Sequence, residues 1–161
     1  MDWPHLTIHQ LQHYPIVQLF ESSAFLGADG KKKVLRWDHS FAYAIRHQLQ
    51  IDPRRSSECY VHPGYAWAMR RTTFDQIGGL LDFSIVGGGD IHFAYALLNR
   101  IDETIPTGIS DDYRRVAQTW GQRVAEVSGN GTAVGYVPIN IWHHWHGSRV
   151  NRGYFERWYE R

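Results

Sequence analysis

The first candidate for chemistry is a carboxylate behind glycines, Gly87-Gly88-Gly89-Asp90. Three residues without a Cβ let a ligand approach the backbone closely. An acid at their end could take a proton from a substrate held there. The same aspartate also suits the start of a helix, where a side-chain oxygen caps free N–H groups. A second group is Trp142-His143-His144-Trp145-His146-Gly147. Imidazole nitrogens are good ligands for divalent ions. On an extended backbone His144 and His146 share a face and His143 points away; at a turn His143 and His146 converge instead. Histidines packed beside two tryptophans are the plainer alternative. A third group, Ser148-Arg149-Val150-Asn151-Arg152, offers guanidinium forks that match phosphate oxygens, or else a solvated basic end. In the fourth, Gly64 to Arg71 (GYAWAMRR), Trp67 could stack on the apolar face of a sugar. Alternation of Tyr65, Trp67 and Met69 could equally face a core.

Composition narrows the classes. The chain has 161 residues, a size that supports one domain with one core. Seventeen Lys and Arg balance sixteen Asp and Glu, a formal charge of +1, which argues against a strongly basic nucleic-acid binder. The single cysteine, Cys59, excludes an internal disulfide framework and a cysteine-rich zinc site. No apolar run is long enough to span a membrane, and the start MDWPHLTIHQ lacks the layout of a signal peptide. A cytoplasmic, reducing location is expected.

The elements that must position these groups alternate between helix and strand, so an α/β or α+β class is expected. The pattern predicts a helix over 3–13 with Leu6, Ile8 and Leu11 on its apolar side, and a buried strand over 16–20. It predicts a loop over 21–36, around Asp29-Gly30 and three lysines, and a helix over 38–49. A strand over 65–69, a helix over 72–77 stopped by Gly78-Gly79, and a helix over 91–100 follow. The longest helix runs from Ser110 or Asp111 to about Val127, with Tyr113, Val116, Ala117, Trp120, Val124 and Val127 in register. After a turn at 128–131, residues 135–142 read as a strand, with Pro138 marking an edge or bulge.

In order, Gly64-Tyr65-Ala66-Trp67-Ala68-Met69-Arg70-Arg71, Phe74, Gly78-Gly79-Leu80-Leu81-Asp82, Ile85, Gly87 to Asp90 and the late His-x-x-His-Gly resemble a known arrangement. It is that of the C-terminal half of GT-A-type glycosyltransferases, family-2-like and β-1,4-galactosyltransferase-like. The likeness runs from about residue 14 onward and is densest over 64–98. It implies a partial GT-A fold spanning 1–161 as one domain, without the N-terminal nucleotide-binding βαβ region, which holds roughly a hundred residues. Carried over, Asp90 is the base that deprotonates an acceptor hydroxyl. His146, then His143 or His144, ligates Mn²⁺ or Mg²⁺. Arg149, Arg152 and Ser148 lie by the donor diphosphate, and Trp67, Asp82, Gly88, Gly89 and His92 line the acceptor side. The implied activity is inverting, metal-dependent transfer of a hexose from a nucleotide sugar to a carbohydrate or other hydroxyl acceptor. Two departures stand out: Ile91 follows Asp90 where the family often has a second acid, and the chain contains no Asp-x-Asp. The resemblance therefore implies an incomplete enzyme that needs a second polypeptide with the donor half, and surfaces left open by the missing half could pair copies of the chain into a homo-oligomer. The competing class is a catalytically silent module that binds carbohydrate or protein.

Overall fold

The computed structural model describes residues 2–52, 61–84 and 87–147. The chain is mixed α and β. Helix α1 (Trp3–His13) is capped by Asp2, carries Pro4 in its first turn, and ends at the extended Tyr14 before Pro15. It lies on the surface: Thr7 is its buried residue, while Ile8 is exposed.

Strand β1 (Ile16–Gln18) is wholly buried. The expected loop over 21–36 is instead a hairpin, β2 (Ser22–Gly27) and β3 (Gly30–Ser40), paired antiparallel. Ala28-Asp29 is its turn, and Gly30, which opens β3, has φ +65°, a left-handed conformation that suits a tight hairpin. Among the described residues, the lysines sit on β3 where it has no partner on its second side, since β4 (Val61–His62) pairs with His39 and Ser40. Lysine at a free edge discourages edge-to-edge pairing, so the charges that suggested a loop also suit an edge strand. Residues 38–40, expected as helix, belong to β3. Ser40 then caps the short α2 (Phe41–Arg46) by accepting the Tyr43 N–H at 3.0 Å.

Strand β5 (Trp67–Met69) leads to α3 (Arg71–Ile77), closed by Gly78 in a left-handed C-cap. Helix α4 (Gly89–Ala96) starts earlier and ends sooner than expected; Leu97 to Arg100 turn away from it. A 3-10 turn at Ile101–Glu103 precedes α5 (Asp111–Ser128), capped by Ser110 and ended by Gly129. The α5 stripe is Ala117, Trp120, Gly121, Val124, Ala125 and Ser128, while Val116 faces solvent. The expected strand over 135–142 is split into β6 (Val134–Tyr136) and β7 (Asn140–His143). Pro138 cannot donate to a ladder, and here the chain leaves one sheet for the other.

Two small sheets result, ordered β5-β1-β6 and β4-β3-β2-β7. Three chain segments cross between them, β1 to β2, β4 to β5 and β6 to β7. Helices α3, α4 and α5 cover the first sheet around Ile16, Ile77, Phe93, Leu97, Trp120 and Val134. One buried side chain ties the sheets together. Gln18 Nε2 donates to the carbonyls of His62 and Gly64, each at 3.0 Å, and its Oε1 accepts the Ala42 N–H at 2.9 Å. Two carbonyls and one N–H fix which way the amide points. Replacing Gln18 by Leu leaves three backbone groups without partners, at about 1–3 kcal/mol each. Urea unfolding of Gln18→Leu is expected to show a loss of at least about 3 kcal/mol; a loss under about 1 kcal/mol would show that the staple is dispensable.

Candidate functional site

The corner that Gln18 holds, residues 62–65 between β4 and β5, is the centre of the site. The Gly64 N–H donates to His62 Nδ1 at 3.1 Å. That nitrogen is therefore the bare one, and Nε2 carries the proton of the neutral ring. Tyr65 has φ +70°, a conformation costly for a bulky residue. Its ring lies flat on His62, centroids 3.9 Å apart and 7° from parallel. Strained backbone in such a corner is common at functional sites.

Asp90 comes to this corner from the first turn of α4. Gly88, at φ +86°, occupies the N-cap position with no side-chain cap bond, so Asp90 does not cap the helix. Its Oδ1 accepts the neighbouring Ile91 N–H at 2.9 Å. A Cβ placed on Gly64 would lie 2.7 Å from Asp90 Oδ2. The carboxylate therefore lies directly on the Gly64 backbone, in space that only glycine leaves. It remains exposed on its other side.

The histidines of the late segment approach the corner from the opposite side. The pleat of the second sheet puts Arg36, Phe25 and His143 in one row. His143 meets the Phe25 ring at 4.7 Å and the Tyr65 ring at 5.3 Å. The strand stops at His143, and His146 turns back so that the two Nε2 atoms are 3.1 Å apart. Of the arrangements open to the sequence, this is the one made at a turn. Asp90, Gly64, His62, Tyr65, His143 and His146 thus form a continuous series of contacts. Beside it a cavity of about 260 Å³ is lined by Phe25, Arg36, His143, His144 and Trp145, among others. Arg36 stacks on Phe25 at 4.2 Å and pairs with the buried Asp38 at 2.8 Å.

Two imidazole nitrogens 3.1 Å apart can share one ion at about 2.0–2.1 Å from each. Among the described residues no third His, Cys, Asp or Glu completes a cluster. Mn²⁺ and Mg²⁺ prefer oxygen donors, so the pair fits only as two ligands of a site whose oxygens come from elsewhere.

The other expected residues fall in different places. Trp67 is half-buried, donates to Pro63 O at 2.9 Å and sets its edge against Phe93 at 5.1 Å; the core-facing alternative is the observed one. Tyr65 holds the open position instead. Asp82 is exposed between α3 and the glycine turn, and Gly88 and Gly89, both half-buried, lead from that turn into α4. His92 does not line the acceptor side: it is 1% exposed and faces inward from α4. Ser148, Arg149 and Arg152 lie outside the described residues. His62, the open position of Tyr65, and Gly64 as the seat of the acid were not foreseen from the sequence, which offered Tyr65 only as a residue alternating with Trp67 and Met69. A histidine two residues before a glycine, followed by an aromatic, was the available signal, but nothing local linked it to residue 90.

Set against family models, characterised proteins and solved structures, the chain matches none of them. Among the described residues no helix is long and apolar enough to cross a membrane.

His92 explains part of the expected pH behaviour. The Thr104 hydroxyl donates to Ile101 O at 2.7 Å, so it accepts from His92 Nδ1, also at 2.7 Å. His92 Nε2 then accepts from the Tyr113 hydroxyl at 2.9 Å. Burial holds this imidazole below its ordinary value, partly offset by the charge of Asp90. The unfolded chain therefore binds a proton that the folded chain refuses. The stability from neutral His92 is complete above an unfolded value of about 6.5 and is lost as pH falls below it. Unfolding midpoints measured at pH 8 and pH 5 are expected to differ more for the native chain than for His92→Gln; equal differences would remove His92 from the account.

Proposed function

We propose that this chain is the acceptor half of a GT-A-type glycosyltransferase, which moves a hexose from a nucleotide sugar to an acceptor hydroxyl on the cytoplasmic side. One observation carries the proposal. The Asp90 carboxylate rests on the Gly64 backbone, and the rings of His62, Tyr65, His143 and His146 continue from that same corner. A carboxylate open to solvent on one side and backed by glycine has room for a substrate hydroxyl. Tyr65 supplies an exposed aromatic ring beside it, suited to the apolar C–H face of a sugar.

In this scheme Asp90 takes the proton of the acceptor hydroxyl. The acceptor oxygen bonds to the anomeric carbon, and the bond to the diphosphate oxygen breaks, leaving its electron pair on the diphosphate. One base opposite the leaving group inverts the anomeric centre. Mn²⁺ or Mg²⁺, when bound, would neutralise charge growing on the diphosphate, with His143 and His146 as this chain's ligands. Arg149, Arg152 and Ser148 remain the proposed diphosphate contacts. The donor half must supply the nucleotide site, because an Asp-x-Asp is missing from these 161 residues.

The test is turnover with a nucleotide-binding polypeptide that carries an Asp-x-Asp, followed with nucleotide sugars and Mn²⁺. Asp90→Asn is expected to lower transfer by about 10²–10⁴-fold without changing the unfolding midpoint. Gly64→Ala should lower it comparably by displacing the carboxylate. Transfer that survives Asp90→Asn would sink the assignment. The 161-residue chain alone is expected to give no turnover; robust turnover by it would refute the half-enzyme proposal. The two-donor metal set favours one alternative, a silent carbohydrate-binding module. That alternative predicts saccharide binding untouched by Asp90→Asn and no transfer with any donor half.

A further inference from the structure

The outer face of the second sheet carries a different set of side chains from the face that meets the site. In the pleat, Trp37 and Trp142 flank the fully buried Ala24 in one row. The small residue between them lets the two indoles meet edge to face, 5.7 Å apart. Trp37 is still 50% exposed and Trp142 42%. Lys31 Nζ stands 4.9 Å from the Trp142 ring centre, and Lys32 and Lys33 follow it into solvent. Val34 of the same strand is exposed as well, while the exposed Leu35 lines the cavity beside the candidate site. Lys31, Lys32 and Lys33 are consecutive, and Asp29 is the one acid between residues 22 and 37, although the whole chain carries a formal charge of only +1. Lysine at a strand edge accounts for the charge, but not for two tryptophans exposed beside it.

We propose that this face docks on the surface of an anionic lipid bilayer. Tryptophan settles at the level of lipid headgroups, where one part of the ring meets hydrocarbon and the N–H meets water. Clustered lysines are drawn to anionic headgroups. The other occupants fit less well. A second copy related by a two-fold axis would bring one lysine run against the other. A sugar stacked on Trp142 would compete with Lys31 for the ring. Because Trp37 and Trp142 alternate with Arg36 and His143, docking leaves the candidate site on the other side of the sheet, and the proposal stands independently of the transferase assignment.

Co-sedimentation with vesicles tests it, using phosphatidylcholine alone and phosphatidylcholine mixed with phosphatidylglycerol. Binding to the mixed vesicles only, weakened by salt, is expected. Replacing Lys31, Lys32 and Lys33 together by Gln should weaken it on the order of a hundredfold. Trp37→Ser, checked for an unchanged circular dichroism spectrum, should weaken it further, and Asp90→Asn should not affect it. Failure to bind either vesicle, or undiminished binding by the triple-lysine variant, would overturn the proposal. So would capture by a soluble acidic polysaccharide in the absence of vesicle binding.

Discussion

A single buried amide holds this molecule's working corner in place. Gln18 lies in the most enclosed strand, where a charged or unpaired group would be costly. Its three hydrogen bonds reach β4, the 62–65 corner and the start of α2. The carbonyls of His62 and Gly64 are thereby satisfied where the chain leaves one sheet for the other. The corner so fixed carries His62, Gly64 and Tyr65. Everything proposed for the site depends on that backbone staying where the amide places it.

The acid at the corner owes its position to an absent side chain. Asp90 reaches the Gly64 backbone because residue 64 has no Cβ, and Gly88 lets the chain enter α4 at the angle required. The ring of His62 is oriented by the Gly64 N–H and fixed from above by Tyr65. Small residues and one strained residue thus bring together an acid and several imidazoles from three separate segments. The aromatic rings among them exclude water from part of the opening while leaving the carboxylate reachable.

The second sheet separates two kinds of surface by its period of two. Arg36, Phe25 and His143 face the corner, and Trp37, Ala24 and Trp142 face away. A shift of one residue in register would exchange these sets. The hairpin turn at Ala28-Asp29 and the break at Pro138 are therefore as important to the site as the residues within it.

What the sequence by itself determined is local. The extent of α5 follows from Ser110, Gly129 and a 3.6-residue stripe, and the ends of α1 and α3 follow from Pro15 and Gly78, because caps and breakers act over a few residues. The glycine turn before Asp90 and the histidine-rich segment were legible for the same reason. Only the tertiary structure decided that residues 21–36 pair as a hairpin, that Trp67 packs inward while Tyr65 stays open, and that His92 is a core residue bonded to Thr104 and Tyr113. It also decided that Asp90 rests on Gly64 and that His143 turns toward His146. Each of these depends on strand register and on partners far away along the chain, and no short stretch of residues encodes the free energy of such contacts.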